Sequence, residues 1–351
     1  MLNLLKEMCT QVSADTMKPE ITESFHSLVR ALRTLPESST RTLDKATKSD
    51  GICQSPRLRN LFIGASAFAS SDPSIQTLIS AYNNKELSET QITLLLSIVA
   101  LKTRPSEKTI DQLVALIEPK DSQRSLMIGI SLMVRNFCKK NENCLDSSAV
   151  KKTVNALVNK VKTTDSNLQR IAAIKALDNI RPKTDDNVKT SLLDLAQKSD
   201  ADSGVRIAAI QALQRIADDN IRQKLIEILL KDNEPTEVRI TAYRSAVLSG
   251  ATAQQLETIK SENDPQIQNY IRTHIKSLKK SPNRSRVLPE NAPVFEEPKN
   301  TGLGVTRNIQ WPIKNVTLEM NVIHPKGSIV PNLYTFEVWF PVGGKHQLII
   351  K

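Results

Sequence analysis

A single pattern of apolar and polar positions recurs as a helical phrase between residues 165 and 278. It first reads Leu168-Gln-Arg-Ile-Ala-Ala-Ile-Lys-Ala-Leu177, and it returns over residues 205–213 and 238–246, with a degenerate fourth copy from Ile267. The arginine of the second copy follows that of the first by 36 positions, and the third follows by 33. A period in the thirties with one helix pair per unit is typical of a solenoid of stacked helices.

Each phrase is apolar around most of the helix circumference. At about 100° per residue, the larger apolar side chains of the first copy share one face, with alanines beside them. Such a helix must contact neighbours on several sides, and small alanines let those neighbours come close. The equivalent alanines of the second copy, Ala208 and Ala209, are therefore predicted to lie where helices meet. The face of the first copy comprises Ile171, Ile174, Leu177 and Ile180.

Charged residues recur together with the phrase. An acid precedes each copy, where it can cap the helix or interact with the helix dipole. One arginine occupies the same place in every copy, so these arginines can form a ladder along the stack. Packing and ion pairing between repeats is favoured over a binding role. The acids are Asp165, Asp202 and Glu237, and the arginines are Arg170, Arg206 and Arg239.

The rest of residues 1–280 also predicts helices, about sixteen in all, joined by short connections. Ser88 and Gln91 form a capping-box pattern ahead of an almost wholly apolar segment, residues 92–101. A partner helix is predicted after each repeated phrase. The Ser- and Thr-rich stretch 38–50 is instead predicted to be a loop with one weak helix at most.

The composition changes near residue 281. Four prolines within residues 281–300 indicate an extended linker after the helical region. The segment 301–351 then predicts the start of an antiparallel sheet, because residues 316–323 and 333–340 have strand patterns and Gly343-Gly344 suits a hairpin turn. A sheet without a closing partner leaves an exposed edge, which suggests that it continues in a longer protein.

The net charge of +11 is spread along the chain. Residues 1–280 carry 40 basic and 32 acidic side chains, and residues 281–351 carry 8 and 5. No aromatic-studded basic patch marks a nucleic-acid groove, so no nucleic-acid partner is predicted. A diffuse positive field suits anionic lipid head groups or sulfated glycans only weakly, and a solvated surface is the simpler interpretation. No apolar run approaches the ~20 residues of a membrane span, and no signal peptide is recognisable.

The sequence does not indicate catalytic chemistry. It contains no nucleotide-binding loop, nucleophile elbow or zinc-protease motif, and its four histidines lie on separate predicted elements. We therefore expect no enzyme, no cofactor and no metal site. Two N-x-S/T sequons, at Asn283 and Asn315, are candidate glycosylation sites.

The four cysteines leave alternatives open. None has the C-x-x-C spacing of a zinc site. Cys138 and Cys144 flank a polar turn between two predicted helices, which suits a local disulfide in an oxidising compartment. Two unrelated thiols are the alternative. Cys9 and Cys53 are a second candidate pair, and the sequence does not indicate whether they are linked.

Four segments resemble those of a known family. They read Ala67-Phe-Ala-Ser-Ser-Asp-Pro-Ser-Ile75, Lys85-Glu-Leu-Ser88, Val238-Arg-Ile-Thr-Ala-Tyr-Arg244 and Arg307-Asn-Ile-Gln-Trp-Pro312. With the order of helices and strands, they resemble the large lipid transfer proteins. That family includes vitellogenins, insect apolipophorins, the amino-terminal part of apolipoprotein B and the microsomal triglyceride transfer protein. Within it, the chain also resembles the apolipophorin-like group 14 mite allergens.

The resemblance implies a two-layered, curved superhelical arch of helices that supports amphipathic sheets. The apolar inner faces of such sheets would hold phospholipid and neutral lipid. The resemblance also implies secretion, a disulfide between Cys138 and Cys144, and an origin as a fragment of a longer lipoprotein. The remaining parts of that lipoprotein and a cell-surface receptor would then be partners, and the mite proteins suggest an allergen.

The strand 333–340 has one wholly aromatic or β-branched face. Alternation with one apolar face is what the lining of a lipid cavity requires. Packing of the same face on the helices is the alternative. One face carries Leu333, Thr335, Glu337 and Trp339, and the candidate lipid-facing set is Tyr334, Phe336, Val338 and Phe340.

Two functions are compatible with these patterns. The first is a piece of a secreted lipid carrier in which the strands supply the apolar contact surface, so that residues 1–280 alone would bind little lipid. The second is an intracellular helical-repeat scaffold that binds other proteins on its concave face.

Overall fold

A computed structural model describes residues 1–12, 20–48, 52, 55–119, 122–139, 141–280, 287–296, 305–313, 316–325, 327–342 and 345–350. Within these ranges sixteen α-helices precede one four-stranded antiparallel sheet. The predicted fold class, mostly α with a short antiparallel β segment, is confirmed. Two compact units divide the chain, Met1–Pro182 and Lys183–Lys351. The predicted boundaries at residues 280 and 300 stay predictions.

Within its described residues, the first unit contains ten helices in two rows. Helix α4 packs on α6, α6 on α8 and α8 on α10, while α5 packs on α7 and α7 on α9. Alternate helices along the chain therefore share a row, as expected for stacked helix pairs. The helices are α1 Leu2–Val12, α2 Ile21–Leu32, α3 Glu37–Ala46, α4 Pro56–Ala69, α5 Asp72–Asn83, α6 Glu89–Lys102, α7 Glu107–Val114, α8 Arg124–Cys138, α9 Ser148–Thr163 and α10 Asn167–Ile180.

Tertiary contacts turn most of the predicted loop 38–50 into helix α3. Glu37 and Arg41 form an ion pair at 2.7 Å one turn apart, and Leu43 is buried in the core of the unit. Asp44 accepts a hydrogen bond at 2.7 Å from Arg59 of the next helix. The weak helix propensity of Ser and Thr was therefore overridden by packing and a charge pair.

The described part of the second unit contains six helices and the sheet. Helix α12 packs on α14, α14 on α16 and α16 on β1. The strands follow the order β1-β2-β3-β4, each antiparallel to the next. The elements are α11 Asp186–Gln197, α12 Ser203–Gln214, α13 Asp219–Leu229, α14 Thr236–Leu248, α15 Ala253–Lys260, α16 Pro265–Lys280, β1 Arg307–Ile313, β2 Val316–Ile323, β3 Leu333–Val342 and β4 Lys345–Ile350.

The three acids that accompany the phrases take different positions at the helix starts. Asp202 accepts a hydrogen bond from the N–H of Val205 at the start of α12. Asp165 lies one position too early, and Ser166 caps α10 instead. Glu237 lies inside the first turn of α14, where it faces the helix dipole. The capping box predicted ahead of α6 is present, with both of its hydrogen bonds.

The recurring arginine of the phrase binds the end of the preceding helix. Arg206 Nε donates to the carbonyl of Ala196 at 3.1 Å, and Arg239 Nε donates to that of Leu229 at 2.6 Å. In the first unit, Arg170 does the same to a carbonyl of α9. These acceptors belong to the last helical turn, whose carbonyls lack partners within the helix. The arginines are therefore C-terminal caps of their neighbours.

Buried glutamates neutralise two of these arginines. Arg206 and Glu234 approach to 2.5 Å, and Arg239 and Glu262 to 2.6 Å, with all four side chains at most 3% exposed. Glu234 follows α13, the partner helix of α12, and Glu262 follows α15, the partner helix of α14. Each ion pair therefore connects the phrase helix of a repeat to the end of its partner helix. Packing and ion pairing, the favoured interpretation of these arginines, agrees with this geometry.

We expect Ala209→Leu to lower the free energy of unfolding by about 1–3 kcal/mol, because extra methylenes in a packed core force strain. Ala209 is fully buried, as the repeated phrase predicted. As a control, Ala115→Leu at an exposed alanine should change the free energy of unfolding by less than about 0.5 kcal/mol. Equal denaturation midpoints for the two variants would show that the α12 face is not a helix contact.

Replacing Glu234 with Gln should destabilise the fold by about 3 kcal/mol at pH 7, because Arg206 would keep a buried charge without its counter-charge. Burial alone raises the pKa of Glu234, but hydrogen bonds from Arg206 and Ser199 outweigh it and lower that pKa below its ordinary value. A carboxylate with a lowered folded-state pKa stabilises the fold above its unfolded pKa, and this stability is lost as the pH falls through the folded pKa.

Urea denaturation between pH 7 and pH 3 measures this effect. The difference in unfolding free energy between wild type and Glu234→Gln should be complete at pH 7 and should close at acidic pH. Glu257→Gln is the control, since the exposed Glu257–Lys260 pair at 3.4 Å contributes under about 1 kcal/mol. A difference that stays constant across this range would contradict the assigned role of the Glu234 carboxylate.

Candidate functional site

On β2 the buried side of the sheet carries polar residues, and the other side carries apolar residues. Along β2 the alternate positions Thr317, Glu319 and Asn321 are buried, while Leu318 and Met320 between them are half-exposed. A one-sided sheet of a soluble protein normally has the opposite arrangement, with apolar residues on the core and polar residues in water. We call these surfaces the helix-facing face and the outward face.

The strand register defines the outward face as three rows. Residues directly opposite each other in an antiparallel pair point to the same side of the sheet. Across β1, β2 and β3 the rows are Arg307–Val322–Tyr334, Ile309–Met320–Phe336 and Trp311–Leu318–Val338.

Arg244 of α14 anchors the helix-facing face. Its guanidinium donates to Glu319 at 3.0 Å and to both carboxylate oxygens of Glu337 at 3.1 Å. The two glutamates are register partners on adjacent strands, and both are buried. Like charges opposite each other repel, so the shared arginine is what makes this pairing stable.

Side-chain hydrogen bonds extend the anchor from α16 to the first three strands. Tyr270 donates its hydroxyl proton to Asn321 Oδ1 at 2.6 Å, and Asn308 Nδ2 donates to both Asn321 and Glu319. Asn321 in turn donates to Thr335 of β3 at 2.8 Å. These side chains of the helix-facing face thus form a connected polar network.

Electrostatics keep the Arg244 guanidinium charged within this network. Burial alone lowers the pKa of Arg244, but the carboxylates Glu319 and Glu337 outweigh it and hold that pKa well above its ordinary value. Burial raises the pKa of Tyr270 in the same cluster, so its phenol stays protonated as a hydrogen-bond donor. Beside them the hydroxyl of Tyr243 lies 3.0 Å from His274 Nδ1.

Three of the four predicted lipid-facing residues, Tyr334, Phe336 and Val338, lie on the outward face. Tyr334 is 64% exposed and Phe336 is 50% exposed, whereas Val338 is 9% exposed beside its strand neighbours. Phe340 belongs to β3, and its side chain lies outside the described residues. The alternative, in which this face packs on the helices, is wrong for Tyr334 and Phe336, because α14 and α16 bind the opposite face. Contact with lipid itself stays a prediction.

The Sγ atoms of Cys138 and Cys144 lie at bonding distance, 2.01 Å, with the Cα atoms 5.1 Å apart. The pair joins the end of α8 to a short 3₁₀ turn, Cys144–Asp146. Oxidation of this pair in the natural protein stays a prediction. Cys53 and both sequon asparagines, Asn283 and Asn315, lie outside the described residues, so the second cysteine pair and glycosylation stay predictions as well.

Other site classes find no support in the described part of the chain. No helix there combines the length and apolarity needed to cross a bilayer. The same residues bring together no group of three His, Cys, Asp or Glu side chains suited to a metal ion.

Sequence reasoning missed the anchor formed by Arg244, Glu319 and Glu337. A signal was present, because each glutamate interrupts a strand at an alternate position where the face would otherwise be uncharged or apolar. The partner was not identifiable, since Arg244 precedes Glu319 by 75 residues and Glu337 by 93.

Comparison with known proteins agrees with this architecture. A vitellogenin from Penaeus merguiensis is 22% identical over 98% of this chain, which spans 14% of that protein. A solved structure described as "lipid-protein interactions in lipovitellin" superposes with a TM-score of 0.73 at 12% identity, covering 99% of this chain and 38% of that one. At this identity the superposition shows the fold alone. The model of the vitellogenin TPR domain matches residues 1–276. The chain therefore belongs to the vitellogenin family of large lipid transfer proteins.

Proposed function

We propose that this chain is the helical scaffold and first sheet of a lipid carrier, and that the outward face contacts acyl chains. The observation that carries the proposal is the inverted sheet, whose Glu319 and Glu337 are buried against α14 and whose outward aromatic residues Trp311, Tyr334 and Phe336 are exposed. Exposed apolar surface of this kind on one face marks a binding surface. The family relation and the lipovitellin-like fold support the same assignment.

Non-covalent burial supplies the binding energy in this proposal. Each Å² of apolar surface removed from water contributes about 25 cal/mol. A large aromatic side chain buries about 150–250 Å² when fully covered. Trp311, Tyr334 and Phe336 keep 43–64% of their surface exposed, so much of that contribution is still available to a ligand.

The polar anchor has a mechanical consequence for lipid contact. A strand that slips by one residue exchanges its two faces. Such a slip would place Glu319 and Glu337 outward and leave Arg244 buried without its carboxylates. Because that loss is costly, the apolar residues stay outward whether lipid is present or not.

The helices contribute support and little contact surface. The broad apolar faces of the repeated phrases are used within the stack, where Ile174, Leu177, Ile210 and Leu213 are all buried. We therefore infer that residues 1–280 position the sheet and bind little lipid themselves.

The proposed setting is a secreted lipoprotein. The chain spans well under half the length of the relatives it matches, so the remaining parts of a longer protein would complete the lipid cavity. Phospholipid and neutral lipid are the proposed cargo. The family relation supports secretion, and glycosylation at Asn283 or Asn315, binding to a cell-surface receptor or sulfated glycan, and allergenicity are finer proposals of the same kind. We propose no catalytic activity.

Replacing Tyr334 and Phe336 with Ser should reduce the lipid that co-purifies with residues 1–351 at least several-fold, because two large exposed apolar side chains are lost from the outward face. Lipid extracted from equal amounts of purified protein is quantified by mass spectrometry. Leu101→Ser is the matched control, since Leu101 on α6 is also exposed but lies on a helix. It should leave the lipid content unchanged.

Two results would contradict the proposal in different ways. Equal lipid on the wild-type chain and the Tyr334→Ser/Phe336→Ser variant would show that the outward face is not the binding surface. Equal lipid on residues 1–280 and on residues 1–351 would assign binding to the helices. In either case circular dichroism must first show that the compared proteins are folded.

Cys138 and Cys144 should be linked in protein from the natural source, because a secreted chain folds in an oxidising compartment. Peptide mapping under non-reducing conditions, with free thiols blocked at lysis, measures the linkage. A chain expressed in a reducing cytosol is the control and should show both thiols alkylated. Free thiols in the natural material would argue for the intracellular scaffold instead.

A further inference from the structure

The three rows of the outward face differ in polarity. The row at the start of β1 contains Arg307 and Tyr334, with Val322 between them. The next two rows consist only of apolar side chains. They are Ile309–Met320–Phe336 and Trp311–Leu318–Val338. One end of this face therefore offers a cation and a phenol, and the rest offers hydrocarbon.

Sheet geometry sets the dimensions of this pattern. Neighbouring strands lie about 4.7–4.9 Å apart, so the backbones of Arg307 and Tyr334 are separated by roughly 10 Å. Successive rows on one face lie two residues apart, or roughly 7 Å. The polar row and the Trp311 row are thus roughly 14 Å apart. This distance is long enough for the face to contact a head group and a substantial part of an acyl chain together.

Arg307 is available for an external partner. Its side chain is exposed, and it forms no ion pair or hydrogen bond with the residues that the structure describes. Tyr334 likewise makes no side-chain hydrogen bond within those ranges. Both groups can therefore bind a ligand without breaking an existing contact.

The carboxylates of this region lie elsewhere. Glu319 and Glu337 point to the helix-facing face and bind Arg244. Glu237 belongs to α14 and accepts a hydrogen bond at 3.1 Å from Asn332, at the turn between β2 and β3. None of the nine residues of the three outward rows is acidic. The face has a net positive charge at its polar end, which is complementary to an anionic group.

We propose that Arg307 and Tyr334 form a head-group subsite for phospholipid, with the acyl chains lying along the rows toward Trp311. A guanidinium binds phosphate oxygens through paired N–H donors. A tyrosine ring is suited to the boundary between head groups and hydrocarbon, since it combines an apolar body with a polar tip. Neutral glycerides lack the phosphate and would use the two apolar rows only.

This inference rests on the proposed function, because it assumes that the outward face contacts lipid. It adds the orientation of the bound lipid on the outward face and a preference for phospholipid over neutral glycerides. The subsite predicts that one part of the face recognises phosphate and another recognises hydrocarbon, so variants in the two parts should have different effects.

The test uses residues 1–351 and two probes with the same pyrene-labelled acyl chain, a phosphatidylcholine and a diacylglycerol. Binding is measured by fluorescence titration. Arg307→Gln/Tyr334→Phe should weaken phosphatidylcholine binding roughly tenfold, since charge-assisted hydrogen bonds are lost, and should leave diacylglycerol binding unchanged. Arg307→Lys keeps the charge without the paired donors and should give an intermediate loss.

Two further variants separate this inference from the proposed function. Phe336→Ser should weaken both probes, because it removes hydrocarbon contact. Lys279→Gln removes an exposed cation from α16 and should weaken neither. Thermal denaturation of each variant shows whether it is folded.

The possible outcomes are distinct. Unchanged phosphatidylcholine affinity in Arg307→Gln/Tyr334→Phe, or an equal loss for both probes, would overturn the head-group subsite. The proposed function would still stand if Phe336→Ser weakened both probes. Failure of the wild-type chain to bind either probe would overturn the proposed function and the subsite together.

Discussion

The second unit depends on one buried ion cluster, in which Arg244 binds Glu319 and Glu337. Two adjacent strands present carboxylates to each other at the same register position, and a single guanidinium from α14 neutralises both. Removing one partner of a buried charge pair costs about 3–5 kcal/mol, because the remaining charge is left without compensation. The cluster therefore specifies which face of the sheet meets the helices.

This constraint explains why the sheet is inverted relative to an ordinary soluble one. Once the glutamates are bound to Arg244, period-2 alternation sends the neighbouring side chains Leu318, Met320, Phe336 and Val338 to the opposite side. Those side chains are aromatic or aliphatic. Apolar exposure on the outward face is thus a direct consequence of polar pairing on the other face, and it makes that face suitable for lipid.

The repeated helical phrase is used differently in its third copy. The arginine that caps the neighbouring helix is retained there as Arg239. Five residues later, the phrase has Lys175 in the first copy, Gln211 in the second and Arg244 in the third. This position is the polar edge of the phrase. In the third copy, Arg244 binds Glu319 and Glu337 of the sheet from this position. The polar edge of the phrase is therefore used there as a buried anchor.

Local periodicity determined much of this protein from sequence alone. The stacked helices, the buried alanines of α12, the capping box at Ser88 and the two faces of strand 333–340 all follow from the spacing of side chains within one element. Such patterns depend on helical and strand geometry, which neighbouring residues decide.

Tertiary structure determined the features of the fold that local sequence patterns do not encode. It made a helix of residues 37–46 through the contact between Asp44 and Arg59. It also chose the face of the sheet that packs on the helices, against the usual rule that apolar residues pack inward. That choice comes from Arg244, whose partners lie 75 and 93 residues away. A charge pair across such a separation has no periodic signature, because its energy exists only after the chain has brought the groups together.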